Sequence, residues 1–348
     1  MHKDTLKDLH EEDIYEYGSK ELETFEKRLT RYFAREYQRH RGSDGGSAVI
    51  NKGPLALAAI DLAENHYDEG MDFFNAFLDH ETMSYTMAFF DEEPEQALKS
   101  SKTLGQAQRD KFRLINDRIN LKGNERILNL GCGFGYFESY LLDKYPDIQV
   151  SATTHSQIQY NFLLERMKDP NDALSSQRFN MYFGEIDQDN SMGLAKGKYD
   201  VVISAGLLEQ INNIEMFFAI INELLVDNGK MFHHLIVSRD LIPQFLNPEE
   251  TMIGEYFPGG RVLPFSALQR DFDRYTLIGS WFINGMNYWK TLDQWHSNFW
   301  NNLDSVYPAT MDKQRLNHWN NYFALCKSMF LPELGAAYGN GQYLYIKS

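Results

Sequence analysis

Glu125-Arg126-Ile127-Leu128-Asn129-Leu130-Gly131-Cys132-Gly133-Phe134-Gly135 is the stretch around which the chain is organised. Ile127, Leu128 and Leu130 form a short apolar run, the pattern of a buried parallel strand, and a glycine turn closes it. Tyr136 to Lys144 then carries Phe137, Tyr140 and Leu141 at helical spacing. A strand, a glycine-rich turn and a helix in succession offer backbone N–H groups to a closely approaching small ligand. The spacing is Gly-x-Gly-x-Gly, not the Gly-x-Gly-x-x-Gly of dinucleotide binders. The next strand, Ile148 to Thr154, runs into Thr154-His155-Ser156 and offers no acid for a nicotinamide ribose. The combination points away from NAD and towards S-adenosylmethionine.

The chain has 348 residues, 43% hydrophobic and 14% aromatic, enough for a large globular core. No apolar run approaches the ~20 residues of a membrane span. Met1-His2-Lys3-Asp4 is polar with no apolar stretch behind it, which does not read as a signal peptide. Cys132 and Cys326 are too few for a disulfide framework and suit a reducing cytoplasm. With 34 Lys+Arg against 49 Asp+Glu, the net charge is −15. That argues against nucleic acid and against unaided docking on an anionic bilayer, and it suits a cationic small substrate or simply solubility.

Residues 1–17 are charged and read as poorly ordered. Ser19 to Arg39 has Leu22, Phe25, Leu29, Tyr32, Phe33 and Tyr37 at helical spacing, and Pro54 to Glu64 reads as a second helix with proline in its first turn. Arg41 to Ser47 is a glycine-rich break. Beyond the glycine turn, strands are expected at Gln177 to Phe183, Tyr199 to Ser204, Lys230 to Ser238, Tyr275 to Asn284 and Gly341 to Lys347. Helices are expected over Ile214 to Val226, stopped by Asp227-Asn228-Gly229, and over the aromatic stretch Leu292 to Leu334.

His66-Tyr67-Asp68, Met83-Ser84-Tyr85, the helix beginning Thr103-Leu104 and running through Gln108, and the glycine turn carry a resemblance. Over residues 65–348 the chain resembles the cyclopropane-fatty-acid synthase family of S-adenosylmethionine-dependent methyltransferases, which includes the plant coclaurine N-methyltransferase branch. The resemblance implies an α/β fold: a Rossmann-like class I methyltransferase sheet of seven strands, the last antiparallel, with N-terminal helices and a helical cap insertion. Residues 1–105 would be an N-terminal helical segment and lid, and 106–348 the methyltransferase domain, with its insertion at about 290–336. Trp281 to Tyr288 matches the N-methyltransferase branch more closely than the lipid branch.

The resemblance also implies roles. Tyr85, Thr86, Asn129, Gly131, Gly133, Gly135, Thr154, His155, Gln159, Glu185 and Ile186 would hold S-adenosylmethionine and its product S-adenosylhomocysteine. Ser156 and Gln159 match the family's substitute for an acidic ribose ligand. Met87, Gln210, Ile236, Tyr256 and Trp281 would line a substrate or anion pocket, and Glu209, His234 and Tyr288 would form the catalytic group. In lipid-cyclopropanating members that group holds bicarbonate. Departures are Gln210 where the amine branch has histidine, Met87 for a usual cysteine, and Asn129 for the usual aspartate.

Chemistry gives these residues independent readings. An amine must meet a sulfonium methyl unprotonated, so a carboxylate or imidazole beside it has a task. Glu209 suits that task, or it caps the following helix. His234 is a second participant, or a core histidine bonded to backbone. Cys132 reads as a small packing residue, and no spacing suggests a metal site. The leading expectation is methyl transfer to a small-molecule amine. Methylation or cyclopropanation of unsaturated acyl chains, with bicarbonate bound, is the alternative, and a catalytically silent binding module is a third. A homodimer stays open.

Overall fold

A computed structural model describes residues 13–42, 51–56, 70–240, 244–246 and 253–348. The chain divides into two compact units. One takes in residues up to Arg41, Glu69–Gln108 and Asn284–Gly339; the other takes in Gly42–Asp68, Arg109–Ile283 and Asn340–Ser348.

The second unit is built on a sheet. Its strands are β2 (Arg126–Leu130), β3 (Gln149–Thr154), β4 (Phe179–Phe183), β5 (Tyr199–Ala205), β7 (Leu225–Ser238), β10 (Tyr275–Asn284) and β11 (Tyr338–Lys347), in the order β10-β11-β7-β5-β2-β3-β4. The pairs β2–β3, β2–β5, β3–β4 and β5–β7 are parallel. Alternation explains the apolar strands. Ile127, Val201 and Ile203 pack with Phe112, Ile115, Phe137 and Leu163 of the helices α4 (Leu104–Ile119), α5 (Tyr136–Lys144) and α6 (Gln157–Lys168). Leu128, Leu130 and Val202 pack instead with Phe217 and Ile221 of α7 (Ile214–Leu224). A sheet covered on both faces requires apolar residues at consecutive positions. The parallel register aligns the strand ends, pairing Leu130 with Thr153 and Ala205 with His234, so the glycine turn and His234 share one rim.

The first unit is helical: α1 (Lys20–His40), α2 (Met71–Phe77), α3 (Pro94–Lys99), α8 (Met286–Asn301) and α9 (Lys313–Met329). Its centre is aromatic, with Phe73 4.4 Å from Trp319 and Tyr85 5.2 Å from Trp295 between ring centroids. Lys327 on α9, almost wholly buried, bridges Glu26 of α1 at 2.8 Å and Asp293 of α8 at 2.9 Å.

Three expectations need correction. The segment containing Pro54 is not helical where it is described: β1 (Asn51–Ala56) pairs antiparallel with β6 (Ile211–Asn213). The Asn212 and Asn213 side chains donate to the carbonyls of Pro54 and Gly53. An edge strand tolerates proline as readily as a helix's first turn does. Residues 57–64, the His66-Tyr67-Asp68 segment and residues 1–12 lie outside the described residues. The stretch from Leu292 to Leu334 is not one helix: α8 and α9 are separated by residues 302–312, which contain Pro308, a residue that cannot donate to a helical ladder. Asp227-Asn228-Gly229 also lies within β7 rather than ending a helix; α7 stops at Leu224, and Asn228 takes a φ of 60°. Among the described residues no helix is long and apolar enough to cross a membrane.

Candidate functional site

At the β2 end, Gly131, Gly133 and Gly135 have φ of 78°, 60° and 78°, a region that disfavours side chains. Their surroundings differ. A Cβ on Gly131 or Gly133 would meet nothing within 4 Å, whereas one on Gly135 would lie 2.4 Å from Leu163 of α6. The first two glycines therefore border open space and the third is a packing contact. The N–H groups of Gly131 and Cys132 both donate to the Thr153 carbonyl, so these two are spent on the sheet rather than offered to a ligand. Arg166 braces the far side, donating to the Phe134 carbonyl and the Ser139 hydroxyl at 2.8 Å each and pairing with Asp172.

Beneath the turn, Asn129 donates its amide to Glu138 of α5, and both are buried. Among the described residues, Asn129 Oδ1 and Glu138 Oε2 have no hydrogen-bond partner. Burial pushes the Glu138 carboxyl up to about 7. Burial, with Glu138 nearby, also holds the Cys132 thiol well above its usual range, which suits packing rather than attack. At the β3 end, Thr154 donates to Gln159 Oε1 at 2.7 Å, and Ser156 caps α6. The Gln159 amide is thereby oriented with its NH2 as the remaining donor. Gly184 donates to the Thr154 carbonyl; Glu185 beyond it is exposed and Ile186 half-buried. The open cradle over Gly131 and Gly133, with an oriented donor one strand away, fits a nucleoside sulfonium such as S-adenosylmethionine.

Glu209 stands in a short 3-10 turn after β5. The capping reading fails, because Asn213 caps α7 by accepting from Met216. Glu209 Oε1 accepts the Ile236 N–H at 2.7 Å, and Oε2 is buried without a hydrogen-bond partner among the described residues. Burial pushes this carboxyl up to about 7, against the backbone hydrogen bond that lowers it.

His234 is buried on β7, one residue from His233, which faces the other way onto Phe218 and contacts Ser204. Both His234 ring nitrogens are engaged: Nδ1 lies 2.9 Å from the Gln342 amide nitrogen and Nε2 lies 3.2 Å from that of Asn340. Arg118 donates to Gln342 Oε1, which fixes Gln342 with its NH2 towards Nδ1. Nδ1 is then the acceptor and Nε2 carries the proton. Asn340 Oδ1 lacks a partner as oriented, and a half-turn of that amide would satisfy it against Nε2–H. Burial, reinforced by Lys111 and Arg118, pulls His234 down to about 3, so it is neutral at physiological pH.

Gln210 follows Glu209 in the same turn, Tyr256 is buried in the loop before β9 (Arg261–Pro264), and Trp281 on β10 carries Arg118 4.8 Å above its ring. Those residues and the glycine turn belong to the sheet unit. Tyr85, Thr86, Met87 and Tyr288 belong to the helical unit. There Gln108 holds the Ser84 and Thr86 carbonyls, Tyr85 donates to the Tyr322 hydroxyl, Met87 is fully buried, and Tyr288 stacks on Phe330 at 4.6 Å. Sequence reasoning missed Asn340, Gln342, Arg118 and Glu138. The signal for the first two was available, as polar residues at alternate positions of an otherwise apolar strand.

The sequence pattern of mycolic acid cyclopropane synthetases matches residues 58–336. The chain belongs to that family. Its relatives include a probable (S)-tetrahydroprotoberberine N-methyltransferase 2 of Papaver bracteatum, 23% identical over 63% of this chain and 60% of the relative. They also include the cyclopropane-fatty-acyl-phospholipid synthase of Escherichia coli K12, 25% identical over 80% of this chain and 63% of the relative. The chain thus spans less than two thirds of either relative's own length. Coclaurine N-methyltransferase, in a crystal structure with N-methylheliamine and S-adenosylhomocysteine, shares the fold with a TM-score of 0.81 at 19% identity, covering 94% of this chain and 95% of that one.

Proposed function

We propose that the protein transfers a methyl group from S-adenosylmethionine to a small-molecule amine, with Glu209 as the proton acceptor. The observation that carries this reading is the asymmetry of the Glu209 carboxylate: one oxygen is tied to the Ile236 N–H, and the other is buried and unpartnered among the described residues. The cofactor supplies the methyl group as a sulfonium electrophile. Gly131 and Gly133 leave room for it, while Gln159 would donate to its ribose and the Asn129–Glu138 pair would shape the floor of the turn. A carboxyl that titrates near neutrality can accept the ammonium proton and leave nitrogen a lone pair for in-line attack. His234, neutral and held at both nitrogens, would act as a fixed dipole rather than a second base.

A bound bicarbonate, needed for the lipid reading, would draw on hydrogen-bond donors. At Glu209 and His234 these are committed: the Ile236 N–H goes to Glu209, and the proton-bearing Nε2 of His234 faces Asn340. That favours the amine. Enzyme and labelled cofactor should be incubated with an amine panel and, separately, with unsaturated phospholipid vesicles. Gain of a methyl on an amine is expected. Gain of a methylene on the acyl chains with every amine inert would overturn the reading.

A further inference from the structure

Arg261, the first residue of β9, is 2% exposed, yet none of its three guanidinium nitrogens has a hydrogen-bond partner among the described residues. Leaving such a group unpaired is costly, and an arginine does not escape by losing its proton. Burial pulls Arg261 down only to about 10, so it stays cationic at neutral pH. Its strand is part of the Glu209 rim. Leu263 pairs with Val237 of β7, one residue from the Ile236 that holds Glu209, and a Cβ on Gly260 would sit 3.5 Å from the Glu209 carbonyl. Two buried groups of opposite charge thus stand on adjoining segments, each with an unpartnered face and no ion pair between them.

We propose that Arg261 is an oxyanion site of the acceptor pocket, and that the acceptor is an amino acid-like molecule presenting its amine to Glu209 and a carboxylate to Arg261. The proposal rests on the reading of Glu209 as the acceptor-facing base. A planar guanidinium takes a carboxylate through two parallel hydrogen bonds, which a lone amine cannot replace. One ligand with both groups would satisfy both residues at once. A free oxyanion such as bicarbonate shares the carboxylate's chemistry and is separated from it by the test.

The test uses the full chain with S-adenosylhomocysteine, at constant ionic strength, and two acceptor probes that differ by one carboxylate, phenylalanine and phenethylamine. Calorimetry should show phenylalanine binding about tenfold or more tightly than phenethylamine in wild type, with the ratio falling to near one in Arg261→Met. Without any anion, Arg261→Met should melt at or above the wild-type temperature, since it removes a buried charge that has no partner. Arg261→Gln serves the same comparison if the methionine variant does not fold. A carboxylate preference that survives both substitutions, or a marked loss of thermal stability in both, would overturn the proposal. So would bicarbonate alone abolishing the preference by occupying Arg261 as tightly as phenylalanine does. If phenylalanine binds through Arg261 but no amine is methylated, the Glu209 reading fails and the oxyanion site stands.

Discussion

The glycine turn and the Glu209 rim lie on one sheet, yet they are made differently. The turn is held by the strand and the helix that directly follow its own helix: Thr153 takes two of its N–H groups, Leu163 fills the space beside Gly135, and Arg166 ties down the Phe134 carbonyl. The rim is held from afar. Its His234 is gripped by Asn340 and Gln342, 106 and 108 residues away, while Glu209 is held by Ile236 of the adjacent strand, 27 residues on. A site made from neighbours tolerates changes that leave its turn intact. A site made by strand register depends on residues with no motif of their own.

The largest expected effect is on the rim. Glu209→Gln keeps the hydrogen bond from Ile236 but cannot take a proton, so turnover should fall about 10²–10⁴-fold. Cofactor affinity by calorimetry should be unchanged; a loss in cofactor binding equal to the loss in rate would merge the two regions into one site. The same carboxyl sets a pH profile. The wild-type rate should rise through about pH 7 as Glu209 ionises, and the Gln variant should show no such rise.

On the turn, Gly133→Val should come next, with cofactor affinity lowered about tenfold or more. Its Cβ would enter the open cradle, and a β-branched residue resists a φ of 60°. Unchanged affinity would remove the cofactor assignment. Gly135→Ala should act on stability instead, by about 1–3 kcal/mol in urea denaturation, because its Cβ meets Leu163 at 2.4 Å. Equal effects of the two substitutions on affinity would erase the distinction between cradle and packing glycines.

The smallest effects concern the buried polar supports. Gln342→Ala strips a partner from both Arg118 and His234 and should cost about 1–3 kcal/mol, read as a lowered denaturation midpoint. Glu138→Gln should alter the pH dependence of stability. The folded-state value of Glu138 is raised to about 7 from 4.5, so the fold holds a proton that the unfolded chain releases first. Stability therefore falls as pH rises from about 4.5 to about 7. The variant should lose that part of the slope, while the Glu209 part remains.

What could be read in advance follows the same division. The strand, turn and helix from Arg126 to Lys144 were legible because hydrophobic alternation and glycine act within a few residues. The helix over Lys20–His40 was legible for the same reason; that Ser19 caps it, accepting from the Leu22 N–H, is a finding of the structure. The strand at Pro54 was not, since it exists only through pairing with Ile211–Asn213. Glu209 was open between capping and chemistry until Asn213 proved to be the cap.

The amino-acid sequence by itself determined the strand, turn and helix from Arg126 to Lys144, the position of the glycine turn and the family, because local periodicity and short motifs survive without coordinates. Only the tertiary structure decided which glycine borders open space, which tautomer His234 adopts and that Arg261 is buried with no hydrogen-bond partner among the described residues. Burial and hydrogen-bond partnership are properties of the packed chain. A carboxylate or guanidinium looks the same in sequence whether water or another strand surrounds it.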